Sequence, residues 1–184
     1  MSEPDSAVSL RSSSQKPYCA GAIAAQTDFE AGRSLHYLPI LPGSDKQYPC
    51  WKCNHCDFNA SNDDEQLFHR IEFRHGVRFR FPYLARSHVA YTQPLNAMRP
   101  HHTCGCLFCT AEGRKSSTLD SSDTLMSHIA SKHRTNLTPN GKTKTNCTIG
   151  YVAERDELWD INIPDVTGSS GGVGKWVLHA VTSL

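Results

Sequence analysis

CNHCDFNASNDDEQLFHRIEFRH, residues 53–75, carries two cysteines and then two histidines in the order Cys53-x2-Cys56-x12-His69-x5-His75. A second stretch, CLFCTAEGRKSSTLDSSDTLMSHIASKH, repeats the order as Cys106-x2-Cys109-x18-His128-x4-His133. Two thiolates on a tight turn and two imidazoles on a following helix are the donors that a tetrahedral zinc ion takes. Each cluster therefore predicts one zinc ion, two for the chain. Only 38% of the 184 residues are hydrophobic, and units of this size generally need a metal or disulfides to stand alone. Cys50 is a possible substitute for Cys53 or Cys56. Cys104, His101 and His102 are possible substitutes in the second set.

The histidines belong on helices, where residues three or four apart share a face. Ser121, Ser122 and Asp123 offer N-capping chemistry ahead of an inward stripe of Leu125, His128 and Ile129. His133 lies five positions after His128, so the last turn has to loosen or tighten. In the first cluster Ser61-x-x-Asp64 reads as a capping box, Leu67 and Ile71 as one face, and Gly76 as the helix stop. Here the six-residue step from His69 to His75 demands a still more distorted helix end.

The pattern aromatic-x-Cys-x2-Cys-x12-His-x5-His, with Trp51 as the aromatic, resembles the C2H2 zinc-finger family over residues 51–75, and more loosely over 106–133. That resemblance implies atypical, zinc-stabilised ββα-like units and a nuclear regulator of transcription that contacts nucleic acid. The family's core Phe would fall at Ala60 or Gly113, and its Leu at Gln66, with Leu125 retained in the second unit. The helix positions that reach base edges in such fingers would be Asn62, Glu65 and Phe68, then Ser121, Thr124 and Ser127. None is the Arg that reads guanine, and Asp63, Asp64 and Glu65 repel phosphate.

Charge is strongly segregated along the chain. Residues 1–72 carry a net −4, residues 73–153 a net +8 and residues 154–184 a net −3. No acidic residue occurs from Phe73 to Ala111. Arg74, Arg78, Arg80 and Arg86 interleave there with Phe79, Phe81 and Tyr83, the composition of a platform that pairs phosphates and stacks bases. Arg114, Lys115, Lys132, Arg134, Lys142 and Lys144 extend the positive field. The same residues also suit a half-buried strand, with the aromatics packed and Arg78 and Arg80 solvated.

Catalytic readings fail on missing parts. Pro49-Cys50-x-x-Cys53 is half of a zinc-deaminase signature, but His36 is followed by Tyr37-Leu38, so the required Glu is absent. No His-Glu-x-x-His occurs. In TGSSGGVGK, Ser169 stands where a phosphate loop needs Gly. Four protein ligands close the metal's coordination sphere, so the chain is expected not to be an enzyme. No signal peptide or membrane-length apolar run is evident, and a reducing compartment, nucleus or cytoplasm, is expected rather than secretion.

The predicted layout is an α+β chain. It has a disordered tail at 1–17, a lead-in segment at 18–47, a first zinc unit at 48–76 and a basic connecting segment at 77–100. A second zinc unit follows at 101–134, then a polar linker at 135–148 and a C-terminal β element at 149–184, with strands near Cys147–Ala153 and in KWVLHAVTSL. The expected function is a C2H2-type regulator contacting DNA or RNA through its basic middle. The alternative is a zinc-built protein-interaction module that uses Phe68, Phe73 and the acidic ends. Neither reading involves a membrane or a small-molecule substrate.

Overall fold

A computed structural model of the chain describes residues 18–39, 43–61, 69–90, 103–116 and 118–165. The fold is mixed α+β with small sheets. After the isolated residue pair Tyr18 and Val89 comes helix α1 (Ala20–Thr27). Strands β1 (Arg33–Pro39), β2 (Gln47–Cys53) and β3 (Asn59–Ser61) then form an antiparallel sheet in chain order. The small residues Gly21, Ala22 and Ala25 form the buried face of α1, so this helix packs by close backbone approach rather than by large side chains.

Strands β4 (Glu72–Arg74) and β5 (Val77–Phe79) are joined by the two-residue turn His75-Gly76. Both turn residues have positive φ, 52° and 75°, as tight hairpins with the right twist require. The acid-free segment continues into α2 (Phe81–Ser87), which starts at Pro82 in its first turn. Strands β6 (Cys104–Gly105) and β7 (Thr118–Leu119) pair across the short helix α3 (Leu107–Ala111). Helix α4 (Ser122–Lys132) opens on a reciprocal capping box between Ser121 and Thr124 and buries Leu125, Met126 and Ile129. Each of those three side chains contributes on the order of 2 kcal/mol of burial.

Residues 135–148, expected as linker, contain helix α5 (Pro139–Thr145), capped by Thr138 and ended by Asn146 in the left-handed region. Pro at the first turn, Thr as cap and Asn as stop are ordinary helix punctuation. What the polar composition concealed is that this helix buries mainly Gly141 and Thr145, against α3. Strand β8 (Cys147–Ile149) lies where a strand was expected. Strand β9 (Ile161–Ile163), which was not, runs parallel to β8 and antiparallel to β5, completing the sheet β4-β5-β9-β8. Asn162 holds the gap between β8 and the loop by donating to the Thr148 hydroxyl at 3.0 Å and the Tyr151 carbonyl at 2.9 Å.

One apolar cluster gathers Tyr18, Phe58, Val77, Phe79, Tyr83, Phe108, Leu125, Met126, Ile129, Ile161 and Ile163. Cys19, Cys53, Cys106 and Cys109 are part of the same cluster. Among the described residues, no helix is long and apolar enough to cross a membrane. The expected tail, the strand in KWVLHAVTSL and the residues 62–68 that would begin a first finger helix lie outside the described residues. Of the rest of that expected helix, His69 is in a turn, and residues 72–74 are β4.

Candidate metal centres

The second donor set forms as expected. Cys106 is the N-cap of α3 and Cys109 lies in its first turn, so the amides of Phe108 and Cys109 point toward the Cys106 sulfur. The Cys106 amide itself donates to the Ser116 hydroxyl at 2.8 Å. His128 projects from α4, and His133 sits at its C-cap with φ −119° and ψ −9°. Leaving the helix at that point is how a five-residue step converges. Cys106 Sγ and Cys109 Sγ each lie 3.4 Å from His133 Nε2. Cys109 Sγ to His128 Nε2 is also 3.4 Å, and the two Nε2 atoms are 3.3 Å apart.

Those four distances match edges of a tetrahedron around one ion, and all four donor atoms lie within 4.8 Å of one another. Bonds of about 2.3 Å to sulfur and about 2.0 Å to nitrogen give edges of about 3.5 Å between S and N and about 3.3 Å between two N. Four ligand atoms at these separations can hold one metal ion, and zinc is compatible with them. Burial pushes the Cys106 thiol up to about 12, so a bound cation would displace a proton there. Burial also holds the His133 imidazole down at about 4, keeping it neutral as a ligand must be.

The first donor set differs from the expectation. Cys53 and Cys56 are joined by Cys19 and His88, not by His69 and His75. His69 is exposed in a turn. His75 is the first residue of the β4–β5 hairpin turn, and its Nε2 lies 3.1 Å from Asp123 Oδ2. Its neighbour Gly76 is the second turn residue rather than a helix stop. His75 is drawn away because 72–79 pairs as a hairpin, where the finger pattern requires a helix.

Backbone pairing brings Cys19 and His88 in. The Cys19 amide donates to the His88 carbonyl at 3.2 Å, and Tyr18 bridges Val89 beside it. His88 ends α2, with Nδ1 2.7 Å from the Ala85 carbonyl. A carbonyl only accepts, so Nδ1 carries the proton and Nε2 is the nitrogen that could take a metal. Phe58 stacks on the imidazole at 4.2 Å between centroids, with planes 7° apart. Cys19 Sγ and Cys53 Sγ are 3.7 Å apart, against about 3.8 Å for two sulfurs on one tetrahedral zinc. The His55 amide lies 3.4 Å from the Cys53 sulfur, and burial pushes that thiol up to about 12. Sequence reasoning missed Cys19 and His88 because they lie 34 residues before and 35 after Cys53. The available signal was negative, namely a histidine spacing that no regular helix satisfies.

Cys50 and Cys104 stand outside both sets, as buried thiols, and His101 and His102 lie outside the described residues. His88 also bridges Cys104, two residues ahead of Cys106. The two donor sets are therefore tied by consecutive backbone pairings, where two independent units were expected.

The basic segment is likewise built into the fold. Arg78 donates to the Ala153 carbonyl at 2.7 Å and to Asn162 Oδ1 at 3.1 Å. Arg80 is buried; it donates to the carbonyls of Arg155, Glu157 and Trp159 and lies over the Trp159 ring at 3.9 Å. Arg86 donates to the Ala25 carbonyl at 3.1 Å and pairs with the Asp160 carboxylate. Phe79 and Tyr83 are buried. These residues hold the chain's own carbonyls and rings, so they are unavailable as a phosphate and stacking platform. Arg74 remains half-exposed, 3.2 Å from Glu72 and 3.8 Å from Asp123.

Two sets of four Cys and His donors, each able to hold a metal ion, lie in one small α+β core. The chain belongs to the family described as Domain of unknown function (DUF8760), whose profile matches residues 12–137, a span that contains all eight donors. No curated protein and no solved structure shows significant similarity to the chain.

Proposed function

We propose that the chain is a structural zinc module whose task is protein interaction. The observation that carries this reading is that both donor sets are complete, carboxylate-free and seated in the common core. A soft S/N set of tetrahedral shape favours zinc over the harder cations. Four protein donors leave no position for a water or substrate, which supports scaffolding over catalysis. Metal analysis of the purified chain should give two zinc ions, and chelation should abolish cooperative unfolding. A folded, metal-free chain refutes the reading.

A second reading, a nuclear regulator that contacts nucleic acid, is favoured by cations left at the surface. Lys115, Lys132, Lys142 and Lys144 are exposed, and the Arg114 and Lys132 charges help pull the His128 imidazole down after burial. Titration of mixed DNA and RNA through a salt series separates the two. Binding that weakens steeply with salt, and that falls with Lys115→Gln and Lys132→Gln together, favours the second.

A further inference from the structure

The connection between β8 and β9, residues 150–160, is bonded to the core along its length and buries Ala153 and Trp159, yet leaves three other apolar side chains outside. Six of its carbonyls are taken by fixed donors. Asn162 takes Tyr151 and Arg78 takes Ala153, while the Trp159 indole N–H takes Glu154 at 2.9 Å. Arg80 takes Arg155, Glu157 and Trp159. The two legs are also braced to each other. The Tyr151 hydroxyl donates to Glu157 Oε2 at 2.8 Å, and the Glu154 amide donates to Glu157 Oε1 at 2.8 Å. Immobilising a loop this way normally accompanies burial of its apolar residues. Here Leu158 is 90% exposed, Val152 62% and Tyr151 51%.

We propose that this loop is a docking surface for a partner protein segment that places a Lys or Arg beside an apolar anchor. The inference rests on the interaction-module reading and names the partner's chemistry. Charge complementarity selects the occupant. Glu154, Asp156 and Glu157 lie just ahead of Leu158 in the chain with Arg155 the one exposed cation among them, while Arg78 and Arg80 are turned inward onto the loop's carbonyls. The bonds from the Glu154 amide and the Tyr151 hydroxyl hold the Glu157 carboxyl below the usual carboxylate range. Preorganisation lowers the ordering cost of binding, which lets a small patch support useful affinity. The loop lies beyond residue 137, where the family match ends, so the surface is carried by an element outside the shared domain.

The test is selection of random dodecapeptides displayed on phage against the full-length, zinc-loaded chain. Synthetic copies of the selected peptides are then measured against wild type, Leu158→Ser and Asp156→Lys. The expected result is peptides of net positive charge with one apolar anchor, losing at least about tenfold in affinity on either variant, about 1.4 kcal/mol. Both variants should keep two zinc ions and the wild-type melting temperature, because neither side chain is buried. The loop is overturned by acidic or neutral selected peptides, by affinity indifferent to Leu158→Ser, or by failure to select any peptide. Self-association in sedimentation that disappears in Leu158→Ser also overturns it, by making the occupant a second copy. A chain that binds no zinc sinks the module reading instead, so the two failures are distinguishable.

Discussion

Gly21 shows how tightly the first metal site is built. A Cβ at this position would stand 2.3 Å from the Cys53 sulfur and 3.0 Å from the Gly32 carbonyl, so the helix that follows Cys19 approaches the site only because it has no side chain there. Gly21→Ala should reduce metal content from two ions toward one, read by elemental analysis, with the second site retained. His88→Ala should do the same, whereas His69→Ala and His75→Ala should leave both ions bound; loss of an ion in either of the latter would restore the finger-type ligand set. At the second site His133 makes stability depend on pH. Its imidazole titrates at about 4 when folded, against 6.5 ordinarily, so an unfolding chain takes up a proton that the folded chain refuses. Stability is full above the ordinary value and is lost as pH falls between 6.5 and 4, which denaturant midpoints from pH ~7.5 to ~4.5 should show.

Among the elements, α4 was legible residue by residue. Its Ser121 cap follows from capping chemistry, and its Leu125, His128 and Ile129 stripe from 3.6-residue periodicity. Ser121→Ala should cost about 1 kcal/mol in denaturant unfolding. The basic segment was legible only in part. Alternating arginines and aromatics fit either a solvated platform or a packed strand, and no local rule separates them. The outcome was decided by residues 150–160, whose carbonyls need donors once they fold over Trp159. Arg80→Met should therefore destabilise the zinc-loaded chain by about 3 kcal/mol, since it orphans three carbonyls and a ring contact. A stability within about 0.5 kcal/mol of wild type would contradict that role. The β4–β5 hairpin misled for a related reason. EFRHGVRF is short enough that Arg-His-Gly reads equally as a fraying helix end or a tight turn, and pairing with β9 through Phe79 and Ile161 favours the turn.

At the scale of the whole molecule, both donor sets and the apolar cluster form one continuous interior, and its cohesion should be visible on metal removal. Chelation should lower amide-exchange protection at both sites and in β5 and β9 together, rather than at one site at a time. Retained protection in the β4-β5-β9-β8 sheet after complete zinc removal would mean that the sheet stands without its metals. What was readable from residue order alone is what depends on near neighbours. The presence of two soft-donor clusters, the complete second ligand set, the capping and burial of α4 and the α+β class all follow from spacing, cap chemistry and composition. The first ligand set, the internal role of Arg78, Arg80 and Arg86, and the joining of both sites into one core were decided only by tertiary structure. Cys19 reaches Cys53 through backbone pairing with His88, a contact 69 residues apart in the chain. Metal coordination and carbonyl satisfaction depend on distances in space, and no spacing along the chain encodes a distance that the fold itself creates.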